Sequence, residues 1–287
     1  MSARLTEGPP RVLVATASVG EGHDAPARVL ARSLAADASV EVLDVLTVSG
    51  ALIRAAAEGG PRTSFASRAM GWLFDAEYLL FARLGPTRRL GQYVLYRLSA
   101  RRLLEAVRER DPDVVVATYP IASEVLGRLR ARGRLHVPLC SAITDLAGLH
   151  YWAHPGCDLH LVTHPESIAE VERIAGPGSA VAVRGLTAPA FLDPPDREQS
   201  RRRLGLPPAA AVVTVSGGGW GVGDVPGAVG VARGIPGVVV VALCGRSDDH
   251  AGDPTGDADG TRNVADTPAA PRDRDDRRRR REAEPPP

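Results

Sequence analysis

The chain has 287 residues, enough for two domains of ordinary size, and a 44% hydrophobic share that can fill their cores. Its formal net charge of +1 offers no global field for nucleic acid, and no apolar run approaches the roughly 20 residues of a spanning helix. All 35 basic residues are arginine, so a single arginine says little about function.

Three cysteines, Cys140, Cys157 and Cys244, lie far apart with no CxxC pair. That spacing indicates neither a zinc knuckle nor a disulfide framework and fits a reducing compartment. The opening residues lack the apolar core of a signal peptide. The expected location is cytoplasmic, with the protein able to sit on a membrane but not to cross it.

After a flexible stretch at 1–10, residues 11–16 (RVLVAT) read as a buried parallel strand and 23–36 as a helix. Strands follow at 39–46, 111–118, 137–144, 157–163 and 179–185, with helical segments between most of them. Such alternation predicts one α/β domain over 11–187, Rossmann-like and built on a parallel sheet. The proline-rich stretch at 188–204 reads as a linker. A strand at 210–216, a glycine loop, a helix near 225–233 and a strand at 237–245 then give one further β-α-β unit. It is the beginning of a second Rossmann-like domain, spanning 205–247.

Residues 248–287 hold one branched aliphatic residue, Val264, too little apolar surface to offset the entropy of ordering. A disordered tail is expected there, with an unpaired sheet edge left at 237–243. The run RRRRR at 277–281 follows Asp273, Asp275 and Asp276 closely, which favours a solvated polyampholyte over an anion-binding patch.

Three constellations carry chemistry. In the first, Gly20, Gly22 and Ala25 fit G-x-G-x-x-[GA] between a strand and a helix, with Asp44 following at the end of the second strand. The same loop holds His23, for which a dinucleotide site has no use. An imidazole there can take a proton from a hydroxyl, and a helix N-terminus would depress its pKa and keep the base free.

The second is ITDLAGLHYWAHPGCDLHLV (143–162), which runs from one strand end to the next strand and carries Asp145, His150 and Trp152. Strand carboxyl ends of open parallel sheets are where ligands bind. Histidines at 150, 154, 160 and 164 raise the question of metal. His150 and His154 would need a helix to face one another, Pro155-Gly156 interrupts one, and His160 falls inside a strand, so no metal site is expected.

The third is TVSGGGWGVGD (214–224), with five glycines among residues 217–223. Glycines here let backbone amides converge on a diphosphate. The Gly-Lys-Ser/Thr of a Walker A loop does not occur.

Taken together, TASVGEGHDAPARVL (16–30), the 143–162 segment, VSGGGWGVGD (215–224) and ALCGRS (242–247) resemble the monogalactosyldiacylglycerol synthase group. They also resemble the related diacylglycerol glucosyltransferases, GT-B enzymes akin to the peptidoglycan transferase MurG. The resemblance covers roughly residues 10–247. It implies an N-terminal domain for the lipid acceptor, a C-terminal domain for a UDP-sugar, and a Gly-x-Gly-His loop facing the cleft.

Carried onto this chain, the resemblance makes His23 the base that activates the acceptor hydroxyl. Gly20 and Gly22 shape its loop, and Asp145, His150 and Trp152 line the acceptor cleft. Ser216, Gly217, Gly218, Gly219, Trp220 and Gly221 would meet the donor diphosphate, with Gly245 and Arg246 near the nucleotide. The implied reaction is transfer of a hexose from a UDP-sugar to diacylglycerol at the membrane surface. Such chemistry needs no metal or cofactor, because amide dipoles and a helix N-terminus can stabilise the leaving UDP.

Further β-α units of the family's donor domain do not follow Arg246. The chain is therefore expected to be truncated in that domain, and by itself to bind UDP-sugar poorly and lack measurable transfer.

Residues 62–102 add seven aromatic side chains (Phe65, Trp72, Phe74, Tyr78, Phe81, Tyr93, Tyr96) and eight arginines against Asp75 and Glu77. That mixture suits an interfacial helix on anionic lipid, or two amphipathic helices whose aromatics are core. Two alternatives to the glycosyltransferase stand: an inactive remnant that keeps the acceptor domain, and an NAD-binding oxidoreductase using the first glycine loop. No nucleic-acid partner is expected, and oligomeric state is not legible.

Overall fold

The computed structural model describes residues 8–18, 21–55, 57, 84–146, 149–185, 187–218, 224–243 and 261–263. The chain divides into two compact units, 1–194 and 195–287.

In the first unit, six strands form one sheet with every pairing parallel. They are β1 (Arg11–Thr16), β2 (Ser39–Asp44), β3 (Val114–Ala117), β4 (Leu139–Ile143), β5 (Leu159–Val162) and β6 (Ala180–Ala182). Their order is β2-β1-β3-β4-β5-β6, as the alternating pattern of an α/β domain predicts. The chain moves outward from β1 to β2 and then crosses to place β3 on the other side of β1. The gap between the carboxyl ends of β1 and β3 is thus a topological switch point, where open parallel sheets bind ligands.

Side-chain alternation along β1 sorts the helices onto two faces. Val12 and Val14 pack with Ala27 of α1 (Glu21–Leu34). Leu13 and Ala15 join Leu103 and Val107 of α3 (Gly85–Arg110) and Val125 and Leu129 of α4 (Pro120–Ala131). On that second face, α5 (Ile168–Ala175) sets Val171 against Ile143, Val162 and Trp152.

The expected strand 39–46 ends early. The carboxylate of Asp44 accepts from the N–H groups of Leu46 at 2.9 Å and Thr47 at 3.3 Å, capping the short helix α2 (Val45–Ser49). Asp44, the acidic residue of the dinucleotide fingerprint, thus serves here as a helix cap through one carboxylate oxygen. Helix α1 starts at Glu21, so His23 lies in its first turn rather than in a preceding loop.

Helix α3 has 26 residues and buries Gln92, Tyr96, Ala100, Leu103 and Val107 at helical spacing. It stops where Asp111 adopts a left-handed φ of 41° and donates its N–H to the carbonyls of Val107 and Arg108. Of the aromatics in 62–102, Tyr96 is core, with the guanidinium groups of Arg132 and Arg128 over its ring at 4.6 and 5.7 Å, while Tyr93 is exposed. Residues 62–83 lie outside the described residues. Among the described residues no helix is long and apolar enough to cross a membrane.

The stretch read as a linker contains two short helices, α6 (Pro189–Leu192) and α7 (Arg197–Arg203). In the second unit, β7 (Ala211–Ser216) and β8 (Val238–Leu243) pair in parallel around α8 (Val225–Arg233). A third strand, β9 (Thr261–Asn263), pairs with Val240 to Ala242. The expectation of an unpaired edge at 237–243 is corrected at these three residues. A three-residue ladder needs backbone hydrogen bonds rather than apolar side chains, so composition does not announce it.

Candidate active site

Three strand ends deliver the site. After β1, the Thr16 hydroxyl donates to the His23 carbonyl at 3.1 Å and ties the first turn of α1 to the strand. Pro26 has no N–H, so the Gly22 carbonyl has no helical donor, and both residues face an open cavity. After β3, Tyr119 starts α4 in an extended conformation and is almost fully buried. After β4 come Thr144 and Asp145.

These residues converge on the His23 imidazole. Thr144 Oγ1 lies 3.3 Å from Nδ1. The Tyr119 ring stands edge-on at 5.0 Å, and the Trp152 ring is tilted at 5.7 Å. Burial pushes the imidazole below its ordinary pKa of 6.5, opposed by the Asp145 carboxylate and a hydrogen bond to the Thr118 backbone. His23 is therefore neutral at neutral pH, with a carboxylate close enough to steady the imidazolium if it forms. Burial, with the charges of Asp44 and Asp145, raises the Tyr119 phenol to about 12, so it remains a proton donor.

Trp152 organises the segment beyond Asp145. Its indole Nε1–H donates to Asp145 Oδ2 at 3.0 Å, and its carbonyl accepts from Ser141 Oγ at 3.0 Å. Ser141 Oγ also pairs with Ser123 Oγ at 2.8 Å, joining the segment to β4 and α4. The turn after Trp152 presses on α4 so closely that a Cβ on Gly156 would sit 1.9 Å from the Gly127 carbonyl oxygen. Two glycines, on α4 and in the turn, are what allow this contact.

Next to Gly22 and Thr144, two neighbours of His23, lies a cavity of about 220 Å³, walled also by Pro26 and Leu30 of α1 and by Leu161 and Val183. Its lining is predominantly apolar, with Arg184 also lining it.

The structure thus brings together His23, Gly22, Asp145 and Trp152 of the residues singled out from sequence. It separates His150, whose carbonyl accepts from Gln92 Nε2 at 2.9 Å in a second cavity bounded by α3, α4 and α5. Gly20 lies outside the described residues, as do Gly219, Trp220, Gly221, Gly245 and Arg246. In the second unit, Ser216 Oγ accepts from the Gly218 N–H at 3.2 Å, and Gly218 has φ 69°, a conformation that glycine adopts freely. Gly217 donates to the Leu243 carbonyl at 3.2 Å.

Tyr119, Thr118 and Thr16 were not singled out from sequence. Each closes or directly follows a strand, and that position is the signal that would have found them. Among the described residues no group of three His, Cys, Asp or Glu side chains could hold a metal ion. His160 is fully buried in hydrogen bonds, donating Nδ1–H to the Ser179 carbonyl at 3.0 Å and accepting the His154 N–H at Nε2 at 3.1 Å.

The six-stranded unit is an open parallel α/β sheet of Rossmann-like type with a histidine of lowered pKa at its switch point. The family model for monogalactosyldiacylglycerol (MGDG) synthase matches residues 23–187, more than half of the chain and five of the six strands of the first unit. The chain belongs to the MGDG synthase family.

Two solved structures are similar to it: UDP-N-acetylglucosamine 2-epimerase from Rickettsia bellii and MurG from Acinetobacter baumannii. The first has 7% identity and a TM-score of 0.48 over 90% of this chain and 69% of that one. The second has 13% identity and a TM-score of 0.40 over 83% of this chain, which spans 60% of the MurG chain. No curated protein sequence matches the chain.

Proposed function

We propose that the protein is a GT-B glycosyltransferase of glycolipid synthesis that moves a hexose from a UDP-sugar to the free hydroxyl of diacylglycerol, with His23 as general base. The observation that carries this reading is the apolar cavity walled by Gly22, which precedes His23 in the chain, and by Thr144, whose hydroxyl lies 3.3 Å from the His23 Nδ1. An acyl chain fills such a cavity favourably, because each buried methylene contributes about 0.8 kcal/mol. Its glycerol end then meets the imidazole.

His23 Nδ1 takes the proton as the acceptor oxygen attacks the anomeric carbon. The bond from that carbon to the diphosphate breaks, and UDP leaves with its electron pair. A single displacement of this kind inverts the anomeric centre. Asp145 offsets the charge that develops on the imidazole, and Trp152 holds Asp145 in place. Thr144, within reach of Nδ1, positions the ring or the incoming hydroxyl.

The donor side is assigned to the second unit. Ser216 ends β7, Gly217 and Gly218 follow it, and Gly219, Trp220 and Gly221, with Gly245 and Arg246, would continue a backbone cradle for the UDP diphosphate. A helix N-terminus and converging amides can stabilise the departing diphosphate without metal. An acceptor that resides in lipid places the protein at the cytoplasmic face of a membrane, held there peripherally.

The capped Asp44 disfavours the NAD-binding alternative. The test is transfer of labelled hexose from UDP-galactose or UDP-glucose to diacylglycerol, wild type beside His23→Ala. A product that depends on His23 and has inverted configuration would support this reading and overturn the expectation that this chain by itself lacks measurable transfer. Bound diacylglycerol without product would instead leave an acceptor-binding remnant.

A further inference from the structure

His23 is close to the apolar cavity but is not one of its walls. Those come from α1, from β4 and the residue after it, from β5, and from the chain just past β6. The other sides of the imidazole are taken: the Tyr119 ring stands at 5.0 Å, the Trp152 ring at 5.7 Å, and the Thr118 backbone is hydrogen-bonded to it. Thr144 both lines the cavity and places its Oγ1 3.3 Å from Nδ1. One hydroxyl thus belongs at once to the ring and to the space that a ligand can fill.

Thr144 is anchored on both sides. It directly follows β4, whose last residue, Ile143, is 3% exposed and packs with Trp152, Val162 and Val171. The next residue, Asp145, is held by the Trp152 indole at 3.0 Å. A β-branched side chain on such a backbone has few rotamers, so the direction of Oγ1 is restricted.

A hydroxyl has one donor hydrogen and two acceptor lone pairs. With its hydrogen directed at an unprotonated Nδ1, Oγ1 still accepts from a second hydroxyl on the cavity side. General bases act across one hydrogen-bonded intermediary as well as directly.

We propose that Thr144 is a second catalytic residue, the hydroxyl through which His23 removes the acceptor's proton. This role rests on the reading of the cavity as the acceptor site. The proton of the acceptor O–H passes to Thr144 Oγ1 as the hydrogen of Thr144 passes to His23 Nδ1. The electron pair left on the acceptor oxygen forms the bond to the anomeric carbon. The bond from that carbon to the diphosphate breaks, and UDP leaves with its electron pair. Thr144 ends as it began, a neutral hydroxyl, and the imidazolium carries the one proton released. Because Oγ1 gives and receives a proton in the same motion, no threonine alkoxide forms.

The experiment uses the full chain with 15N-labelled histidine and the soluble diacylglycerol dioctanoylglycerol. Wild type is compared with Thr144→Val, which keeps the branched shape, and Thr144→Ser, which keeps the hydroxyl. Methyl signals of Leu30 and Leu161 read entry of the lipid into the cavity, and the His23 Nδ1 signal reads the hydrogen bond. Saturable movement of the methyl signals is expected in all three proteins. The Nδ1 signal is expected to respond to lipid in wild type and Thr144→Ser and to lose that response in Thr144→Val. Thr144→Ala should repeat the loss without a second methyl to crowd the wall.

Turnover separates a carried proton from mere orientation. In an active full-length relative with threonine at the matching position, valine there is expected to lower kcat by about 10²-fold with KM unchanged, and serine to restore it. An Nδ1 response that survives in Thr144→Val and Thr144→Ala, or a kcat that ignores the valine, overturns the role of Thr144 and leaves the acceptor reading standing. Wild-type methyl signals that ignore the lipid overturn the acceptor reading, and this role with it.

Discussion

The indole of Trp152 donates to Asp145 at 3.0 Å while its ring lies 5.7 Å from the ring of His23, so one buried side chain sets both the carboxylate and one wall of the imidazole's pocket. Replacing it with phenylalanine removes the donor and part of the wall. Trp152→Phe should keep the fold at a cost of about 1–3 kcal/mol in urea unfolding. It should also release Asp145 from its present position.

Asp145→Asn isolates the electrostatic part. The carboxylate raises the His23 pKa against the larger effect of burial, so its removal lowers that pKa further. NMR titration of the His23 ring should show a lower midpoint in the variant. An unchanged midpoint would mean that Asp145 does not act on the imidazole.

In an active full-length relative, replacing the histidine that matches His23 with alanine should reduce hexose transfer by about 10²–10⁴-fold, the usual range for loss of a general base. With His23 neutral above its lowered pKa, the wild-type rate should be flat at neutral pH and fall on the acid side. A rate unaffected by the substitution would remove His23 from the chemistry.

Gly156 tests the contact that fixes the Trp152 segment. A methyl there meets a backbone oxygen at 1.9 Å, whereas one on Gly127 meets the His154 ring at 2.8 Å. A ring can shift and a helical carbonyl cannot. Gly156→Ala should therefore cost about 3 kcal/mol or more, and Gly127→Ala less, in paired thermal melts. Equal losses would count against the backbone contact.

Acid should destabilise the first unit through its buried histidines. Burial, with Arg128, His160 and Arg132, pushes His154 from 6.5 down to about 4, and burial lowers His160 as well. Across that window the unfolded chain binds protons that the folded chain does not. The stabilisation is full above 6.5 and is lost as pH falls towards 4. The urea midpoint should drop over this range, less steeply in His154→Ala.

The sheet was legible because parallel strands buried on both faces appear as short, uninterrupted apolar runs, as in RVLVAT and DVVVAT. His23 was legible as a candidate because a histidine following Gly20 and Gly22 after a strand is unusual for a turn. Its partners were not, since Thr144 is 121 residues away and Tyr119 reaches it only through the β1–β3 adjacency. His150 was grouped with Asp145 by sequence proximity, yet the turn at Leu149–Tyr151 carries it into the α3–α5 cavity. Local spacing cannot reveal that reversal. Asp44 matched a fingerprint and proved to be a helix cap, a role that the same position and residue type fill equally well.

The central claim is that a lipid hydroxyl docks against His23, and the most direct measurement is NMR titration of the His23 ring with dioctanoylglycerol, a diacylglycerol short enough to dissolve. Saturable movement of the His23 signals is expected, with a pKa below 6.5 in the free protein and attenuation when Leu30→Glu closes the apolar cavity. His23 signals that ignore the lipid, or a free-protein pKa at or above 6.5, would contradict the account.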